Sequence, residues 1–177
     1  MICAGRILKI RNKELHFGTR TFLMGVVNVS PDSFSGDGLS STESAIELAL
    51  QHIANGADII DIGGQSTRPA GFTGLPGYTP ITEQTELERV LPVISGVRKG
   101  SDVIISVDTF SPFVLENSLH AGADILNSIW GLDERASGAE LAESAQTSLI
   151  EIAVKCRCPV VIVHNKVHKN KLNNAPD

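Results

Sequence analysis

The chain has 177 residues, 42% of them apolar and 20% charged, with a formal net charge of −5 and a mean hydropathy of +0.08. That length supports one domain with a real core. No apolar run approaches the ~20 residues of a membrane span, Met1–Arg6 carries no apolar signal segment, and no long basic block invites nucleic acid. The expectation is a cytoplasmic protein with neither nucleic acid nor membrane as partner.

In chain order, Ile7, Leu8 and Ile10 lead into a polar turn at Arg11–Glu14, and Leu15 and Phe17 lead out, which predicts an N-terminal β-hairpin over residues 1–20. Phe22–Val29 is a near-continuous apolar run, as a strand covered on both faces requires. Thr42–Ala54 has helical periodicity, with Ala45, Ile46, Leu48, Ala49, Leu50 and Ile53 on one broad stripe. Ser41 or Thr42 can cap this helix, and Asn55-Gly56 ends it. The alternation then repeats: strand Asp58–Ile62, a Gly/Pro-rich loop over Gly63–Pro80, and helix Thr82–Arg98, in which Pro92 predicts a kink or break near Leu91. Strand Val103–Val107, helix Pro112–His120, strand Ile125–Asn127, helix Ala139–Lys155 and strand Val160–Val163 follow. The tail over 166–177 is polar and basic and is expected to fray. Helices alternating with buried strands predict an α/β fold with a parallel sheet. An open doubly wound sheet and part of a (β/α)8 barrel both fit the pattern, and both bind ligands at the C-terminal ends of their strands.

Three apolar strands end in polar clusters. Asn28 follows the first, and an amide oxygen there can ligate a hard cation such as Mg²⁺; as a residue before Ser30-Pro31 it also suits a plain turn. The small, polar loop beyond it, with Phe34 as its one aromatic, suits a mobile lid. Asp61 ends the second strand inside an apolar run, where a carboxylate must be hydrogen-bonded or face a ligand. Gly63-Gly64 allows close backbone approach, and Arg68 suits an anion or a planar ring. Asp108 ends the third strand and Asn127 the fourth. A carboxylate beside an amide can read the N–H and NH₂ groups of a planar heterocycle. No Ser-His-Asp set, P-loop or G-x-G-x-x-G is present. Of Cys3, Cys156 and Cys158, the last two flank Arg157, but no second Cys/His pair has zinc-site spacing, so structural or incidental thiols are expected.

These motifs resemble dihydropteroate synthase. Asn28-Val-Ser-Pro-Asp-Ser-Phe-Ser-Gly-Asp-Gly38 resembles the family's N-V-T-P-D-S-F-S-D-G-G, and Asp61-Ile-Gly-Gly-Gln-Ser-Thr-Arg-Pro69 its D-I-G-G-E-S-T-R-P. Ser106-Val-Asp-Thr109 resembles its S-(I/V)-D-T, and Ala121-Gly-Ala-Asp-Ile-Leu-Asn127 its A-G-A-x-x-(I/L)-N-D. The resemblance covers about residues 6–165. It implies a TIM barrel, folate biosynthesis, sulfonamide targeting, and a transferase reaction. In that reaction p-aminobenzoate displaces pyrophosphate from 6-hydroxymethyl-7,8-dihydropterin pyrophosphate, with Mg²⁺ assisting. It implies that Asn28 holds the metal and diphosphate and that Asp108 and Asn127 bind the pterin. It places Phe34, Thr67, Arg68 and Pro69 in the mobile loops around the p-aminobenzoate site; Asp32 and Asp37 are further candidates in the first of those loops, and Asp61, from its place at a strand end, is expected near the ligand. It also implies a homodimer for a full-length protein.

The chain departs from the family at Gly36-Asp37, which shifts the loop aspartate by one position, at Gln65 in place of Glu, and at Ser128 in place of Asp. A complete (β/α)8 domain takes about 250 residues, and five βα strands are countable here. Residues 1–177 are therefore expected to form a single, C-terminally truncated barrel domain, with a hairpin over 1–20 and βα units over 21–165. Such a chain is expected to be marginally stable, with little or no activity by itself. A non-catalytic pterin-binding fragment and a pterin-dependent methyltransferase barrel are the alternatives.

Overall fold

In the computed structural model of the chain, residues 6–29, 41–65, 81–129 and 148–163 are described. The expected lid residues after Val29, the loop after Gln65 and the tail lie outside them. β1 (Arg6–Ile10) and β2 (Lys13–Phe17) form the antiparallel hairpin, with Ile10 opposite Lys13. The turn is thus Arg11-Asn12 alone, and Lys13 and Glu14, expected in the turn, belong to β2. Arg11 takes the positive φ (54°) that so short a connection demands.

Five parallel strands follow in strictly sequential order: β3 (Met24–Asn28), β4 (Ile59–Gly63), β5 (Ile104–Asp108), β6 (Ile125–Ser128) and β7 (Val160–Ile162). Between them run α1 (Thr42–Ala54), α2 (Glu83–Gly100), α3 (Pro112–Ala121) and α4 (Leu149–Cys156). A doubly wound sheet reverses its strand order at a switch point. Sequential order without reversal is the arc of a (β/α)8 barrel, so the topology decides between the two architectures that the sequence pattern left open.

The two sheet faces confirm the arc. Val27, Ile60, Ile62, Ile105, Val107 and Leu126 point to the helices and form the main core with Val90, Val93, Ile94, Leu115, Leu149 and Ile152. On the other face Ile59, Ile104 and Ile125, near the N-terminal ends of their strands, pack with Ile10 and Leu15 of the hairpin. The hairpin therefore closes one end of the inner face and leaves the C-terminal end for chemistry. Phe22 belongs to this closure rather than to β3: its ring meets Phe17 edge-on at 5.7 Å and carries the Arg20 guanidinium at 4.2 Å.

Several expectations change for physical reasons. β3 is an edge strand, so Val26 (51% exposed) and Met24 are not covered on both faces. Leu50 leaves the expected apolar stripe of α1 and is exposed. α2 runs through Pro92 without a break: Pro92 itself is exposed, and Val90, Val93, Ile94 and Val97 anchor both sides of it in the core. α4 begins at Leu149, where Ser148 has extended backbone and forms a capping box, with its Oγ accepting from Glu151 N (3.2 Å) and Glu151 Oε2 accepting from Ser148 N (2.8 Å); the expected stretch from Ala139 to Thr147 lies outside the described residues.

Ion pairs tie the start of the sheet: Arg11 lies 3.8 Å from Asp124, and two closer pairs differ in burial. Arg98 on α2 donates to Asp124 Oδ2 (2.6 Å), Gly122 O (2.8 Å) and Val103 O (2.7 Å), while Asp124 Oδ2 also accepts from Ile105 N (2.9 Å). These side chains are 13% and 5% exposed. Arg20 donates to Asp58 Oδ2 (2.8 Å), but its side chain is 55% exposed. Asp124→Ala strands a buried guanidinium and is expected to cost about 3–5 kcal/mol. Arg20→Ala, at the solvated pair, is expected to cost about 1 kcal/mol or less. Urea denaturation of both variants checks the order; equal losses would contradict it.

Candidate functional site

Register builds the site. Asn28, Gly63, Asp108 and Asn127 are successive Cα partners across β3, β4, β5 and β6, so the four strand ends form one row. Two residues deeper, on the same face by the period of two in a strand, Val26, Asp61, Ser106 and Ile125 form the next row. Backbone bonds from Val29 N to Gly63 O (2.7 Å) and from Thr109 N to Asn127 O (3.1 Å) carry the alignment past the last strand residues. Gly63 keeps the row open. A Cβ there would lie 3.5 Å from Asp108 Cβ and 3.6 Å from Asn28 Oδ1, so the two polar side chains flank a position with no side chain of its own.

The polar groups are held from below. Asn127 Nδ2 donates to Asp61 Oδ2 (3.0 Å). That bond orients the amide, so that Asn127 Oδ1 is the atom left to accept from something else, and it has no hydrogen-bond partner among the described residues. Asp61 is 5% exposed. Burial raises the Asp61 pKa, offset in part by Ser106 and Asn127. Asp108 is pushed up to about 7, first by burial and then by the negative charges of Asp61 and Glu86. Glu86, in the first turns of α2, is pushed to about 7 by burial, with Thr109 and Arg89 opposing and Glu83 adding to the rise. Three acids thus share one poorly solvated strand end, the pattern expected where carboxyls are placed for recognition or proton handling.

The structure brings together Asn28, Asp61, Asp108 and Asn127. Asp32, Phe34, Asp37, Thr67, Arg68 and Pro69 lie outside the described residues. Ser128, which replaces the family's aspartate, is fully buried next to Asn127 in β6. Glu86 was not among the residues singled out from the sequence. An acid in the first turns of a helix reads as a solvated partner of the helix dipole. Its signal was the spacing 86, 90, 93, 94, 97, which places it on the core stripe of α2.

Among the described residues no cluster of three His, Cys, Asp or Glu side chains is placed to hold a metal. The donors at the row are hard oxygens, the Asn28 amide and the Asp108 carboxyl. That set suits a Mg²⁺ ion that keeps waters and ligand phosphate oxygens rather than a zinc cage. The thiols do not contribute: Cys158 is buried, near Asp124 O (3.5 Å), with its pKa raised to about 11 by burial, and Cys156 is exposed. Concavities of about 370 Å³ and 290 Å³ open at the hairpin end, lined by Lys13, Arg20 and Asp58 in one case and by Lys9, Arg11 and Arg157 in the other. Both are remote from the row at the strand C-termini.

The raised acids set the sign of the pH dependence. An acid whose folded pKa exceeds its unfolded value contributes stability fully below the ordinary carboxylate range, about 4. It loses that contribution as pH rises through the folded value, here about 7 for Glu86 and Asp108. Asp58, lowered by its bond to Arg20, acts in the opposite sense, but only at pH below that range. The urea midpoint is therefore expected to fall between about pH 5 and pH 8, and Asp108→Asn is expected to flatten the fall. A midpoint that rises across that interval would contradict the electrostatic picture.

Comparison with known proteins agrees with this geometry. Residues 24–176 match the family model of pterin binding enzymes. The dihydropteroate synthase of Clostridium beijerinckii is 36% identical over 171 residues, covering 96% of this chain and 57% of that protein. That of Bacillus subtilis is 35% identical over 173 residues, covering 97% and 54%. Among solved structures, Yersinia pestis dihydropteroate synthase in a sulfonamide drug complex superimposes with a TM-score of 0.75 at 34% identity, covering 92% of this chain and 52% of that one. Xanthomonas albilineans dihydropteroate synthase with 4-aminobenzoic acid gives 0.72 at 33% identity, covering 92% and 53%. The chain spans about half the length of the curated relatives it matches. With a sequential parallel sheet, a polar row at its C-terminal end and a family match over most of its length, the chain belongs to the pterin binding enzymes.

Proposed function

We propose that this chain carries the pterin-facing part of a dihydropteroate synthase site of folate biosynthesis. The observation that carries this reading is the single row of Asn28, Gly63, Asp108 and Asn127 above the Asp61–Asn127 bond. The substrates are 6-hydroxymethyl-7,8-dihydropterin pyrophosphate and p-aminobenzoate. The amine nitrogen forms a bond to the pterin methylene carbon, the C–O bond to the diphosphate breaks, pyrophosphate leaves with the electron pair, and the amine loses a proton. The amine is itself the nucleophile, so no activated protein side chain is required; positioning and charge stabilisation carry the rate.

The residues divide that work. Ionised Asp108 accepts N–H groups from the pterin edge, and Asn127 Oδ1, oriented by Asp61, accepts another. Asn28 is the residue that would hold Mg²⁺, which supplies charge stabilisation to the departing diphosphate. Asp32, Phe34, Asp37, Thr67, Arg68 and Pro69 are proposed to close over the p-aminobenzoate and diphosphate. The compartment is proposed to be the cytoplasm, in keeping with the unpaired Cys156 and Cys158. Assembly as a homodimer belongs to the same proposal; Ile150 and Val154, exposed on α4, are apolar side chains such an assembly would cover.

The half-length coverage favours a second reading, a pterin-binding fragment without turnover. Nothing among the relatives named supports the methyltransferase alternative. One titration separates the two live readings. The chain is expected to bind 6-hydroxymethylpterin, followed by ligand fluorescence, and Asp108→Asn is expected to lose about 1.5–3 kcal/mol, roughly ten- to a hundredfold in Kd. Affinity is also expected to fall as pH drops below about 7, because the protonated Asp108 cannot accept from two ring donors. Binding accompanied by 7,8-dihydropteroate formation supports the synthase; binding without it supports the fragment. Equal affinity of wild type and Asp108→Asn would overturn both.

A further inference from the structure

The concavity of about 290 Å³ at the hairpin end is one that no step of the proposed reaction uses. It lies between the hairpin turn and the C-terminal ends of α3 and α4. Its rim is basic: Lys9 and Arg11 come from the hairpin, His120 from the last turn of α3, and Arg157 from the C-cap of α4. The whole chain has a formal charge of −5, yet residues 6–20 hold five of its 15 lysines and arginines and a single acid, Glu14. Lys9 spends its charge on that acid (2.9 Å). The one acid that lines the concavity, Asp124, is committed to the core: its side chain is 5% exposed, and its Oδ2 accepts from Arg98 (2.6 Å) and from Ile105 N (2.9 Å). Arg11 lies 3.8 Å from Asp124 Oδ1, beyond hydrogen-bond distance, and its side chain is 46% exposed. Arg157 is exposed, and its side chain has neither hydrogen bond nor ion pair among the described residues.

The backbone singles out the same two arginines. Arg11 (φ 54°) and Arg157 (φ 52°) are the only non-glycine residues with positive φ among the described residues, and both line this concavity. Left-handed backbone suits glycine, and a long side chain there is strained. The tight hairpin turn and the α4 C-cap each account for the conformation, but neither calls for a guanidinium. A cation at a helix C-terminus is favoured by the helix dipole, which gives Arg157 and His120 a simpler reason; Arg11 belongs to no helix. We propose that Arg11 and Arg157 form an anion-binding site at the hairpin end, separate from the strand-end row, that takes a phosphate or diphosphate group. Guanidinium forks match phosphate oxygens two at a time. The concavity is at the small end of ligand pockets, which suits a phosphate group better than a large organic molecule. The site stands independently of what the row binds.

The test titrates the 177-residue chain with inorganic pyrophosphate at constant ionic strength. The readout is the pair of Arg11 and Arg157 side-chain Nε–H resonances in ¹⁵N NMR, assigned by their loss in Arg11→Gly and Arg157→Gly. Both resonances are expected to move saturably in the wild type. Glycine fits the left-handed backbone, so each variant is expected to keep or raise the urea midpoint. Each is also expected to weaken pyrophosphate binding by roughly 10–100-fold, the loss typical of a charged hydrogen bond. A purely structural role for the two arginines would leave that affinity unchanged in the glycine variants, and such a result would overturn the proposal. So would resonances that do not move, or that sodium chloride at the same ionic strength moves equally, which is screening alone. If a glycine variant unfolds, saturable movement of the two wild-type resonances decides. Phenyl phosphate in a second titration identifies the source: tighter binding of pyrophosphate supports a free diphosphate, and tighter binding of phenyl phosphate supports a phosphate carried on a larger molecule.

Discussion

Asn28, Gly63, Asp108 and Asn127 come from four different strands and reach one another only because four parallel strands share an unbroken register. The side-chain period of a strand is two, so a slip of one residue would turn any of these groups to the helix face. The same register puts Val27, Ile62, Val107 and Leu126 in the helix-facing core one residue earlier. Core and site are therefore specified together: the apolar burial that fixes the register also delivers the polar ends. The hairpin contributes from the far side, because Ile10 and Leu15 cover the inner isoleucines and leave the opposite end of that face to Asp61 and the row above it.

This arrangement places acids where water is scarce. Asp61, Glu86 and Asp108 all have raised pKa values, with burial the leading cause in each. In a purely structural sheet such positions would be apolar, as the neighbouring Ile60, Ile62 and Val107 are. Stability and recognition are thus opposed at one strand end, the usual signature of a site grafted onto a scaffold. The opposition is relieved unevenly. Asn127 satisfies one oxygen of Asp61, and Arg89 offsets part of the field at Glu86, while Asp108 has only like charges among the groups that set its pKa. Asp108 is consequently the group most improved by a ligand that donates hydrogen bonds.

The scaffold was legible in the sequence because buried parallel strands are short apolar runs and their helices are periodic. The strand-end residues were legible for a related reason: a polar side chain immediately after an apolar run is conspicuous. Other features depend on partners that a linear reading does not contain. Which strands lie at an edge is settled by pairing, so the exposure of Val26 was not visible in its apolar run. Where α4 begins is settled by the reciprocal bonds of Ser148 and Glu151 against the weak helical pattern upstream. The link from Asn127 to Asp61 joins residues 66 positions apart and follows only from register. Glu86 is the instructive omission. Its phase relative to Val90 and Val97 puts it in the core.

Recognition and turnover make different demands on this fold. Reading a flat heterocycle needs donors and acceptors fixed within a few ångströms, and β4, β5 and β6 supply them from adjacent strand ends. Displacing a diphosphate also needs charge stabilisation at the leaving group and closure around the second substrate. In the proposed reaction those tasks fall to the loops after Asn28 and Gln65 and to the metal. The chain spans about half the length of its curated relatives, yet its described part already contains the row that would hold the ring. Because the incoming amine provides the nucleophile, loss of any one positioning group removes a contribution to the rate without removing the chemistry itself. In the proposed reading, ring binding is the property tied most directly to this sheet, because Asp108 and Asn127 stand at adjacent strand ends above the Asp61 bond.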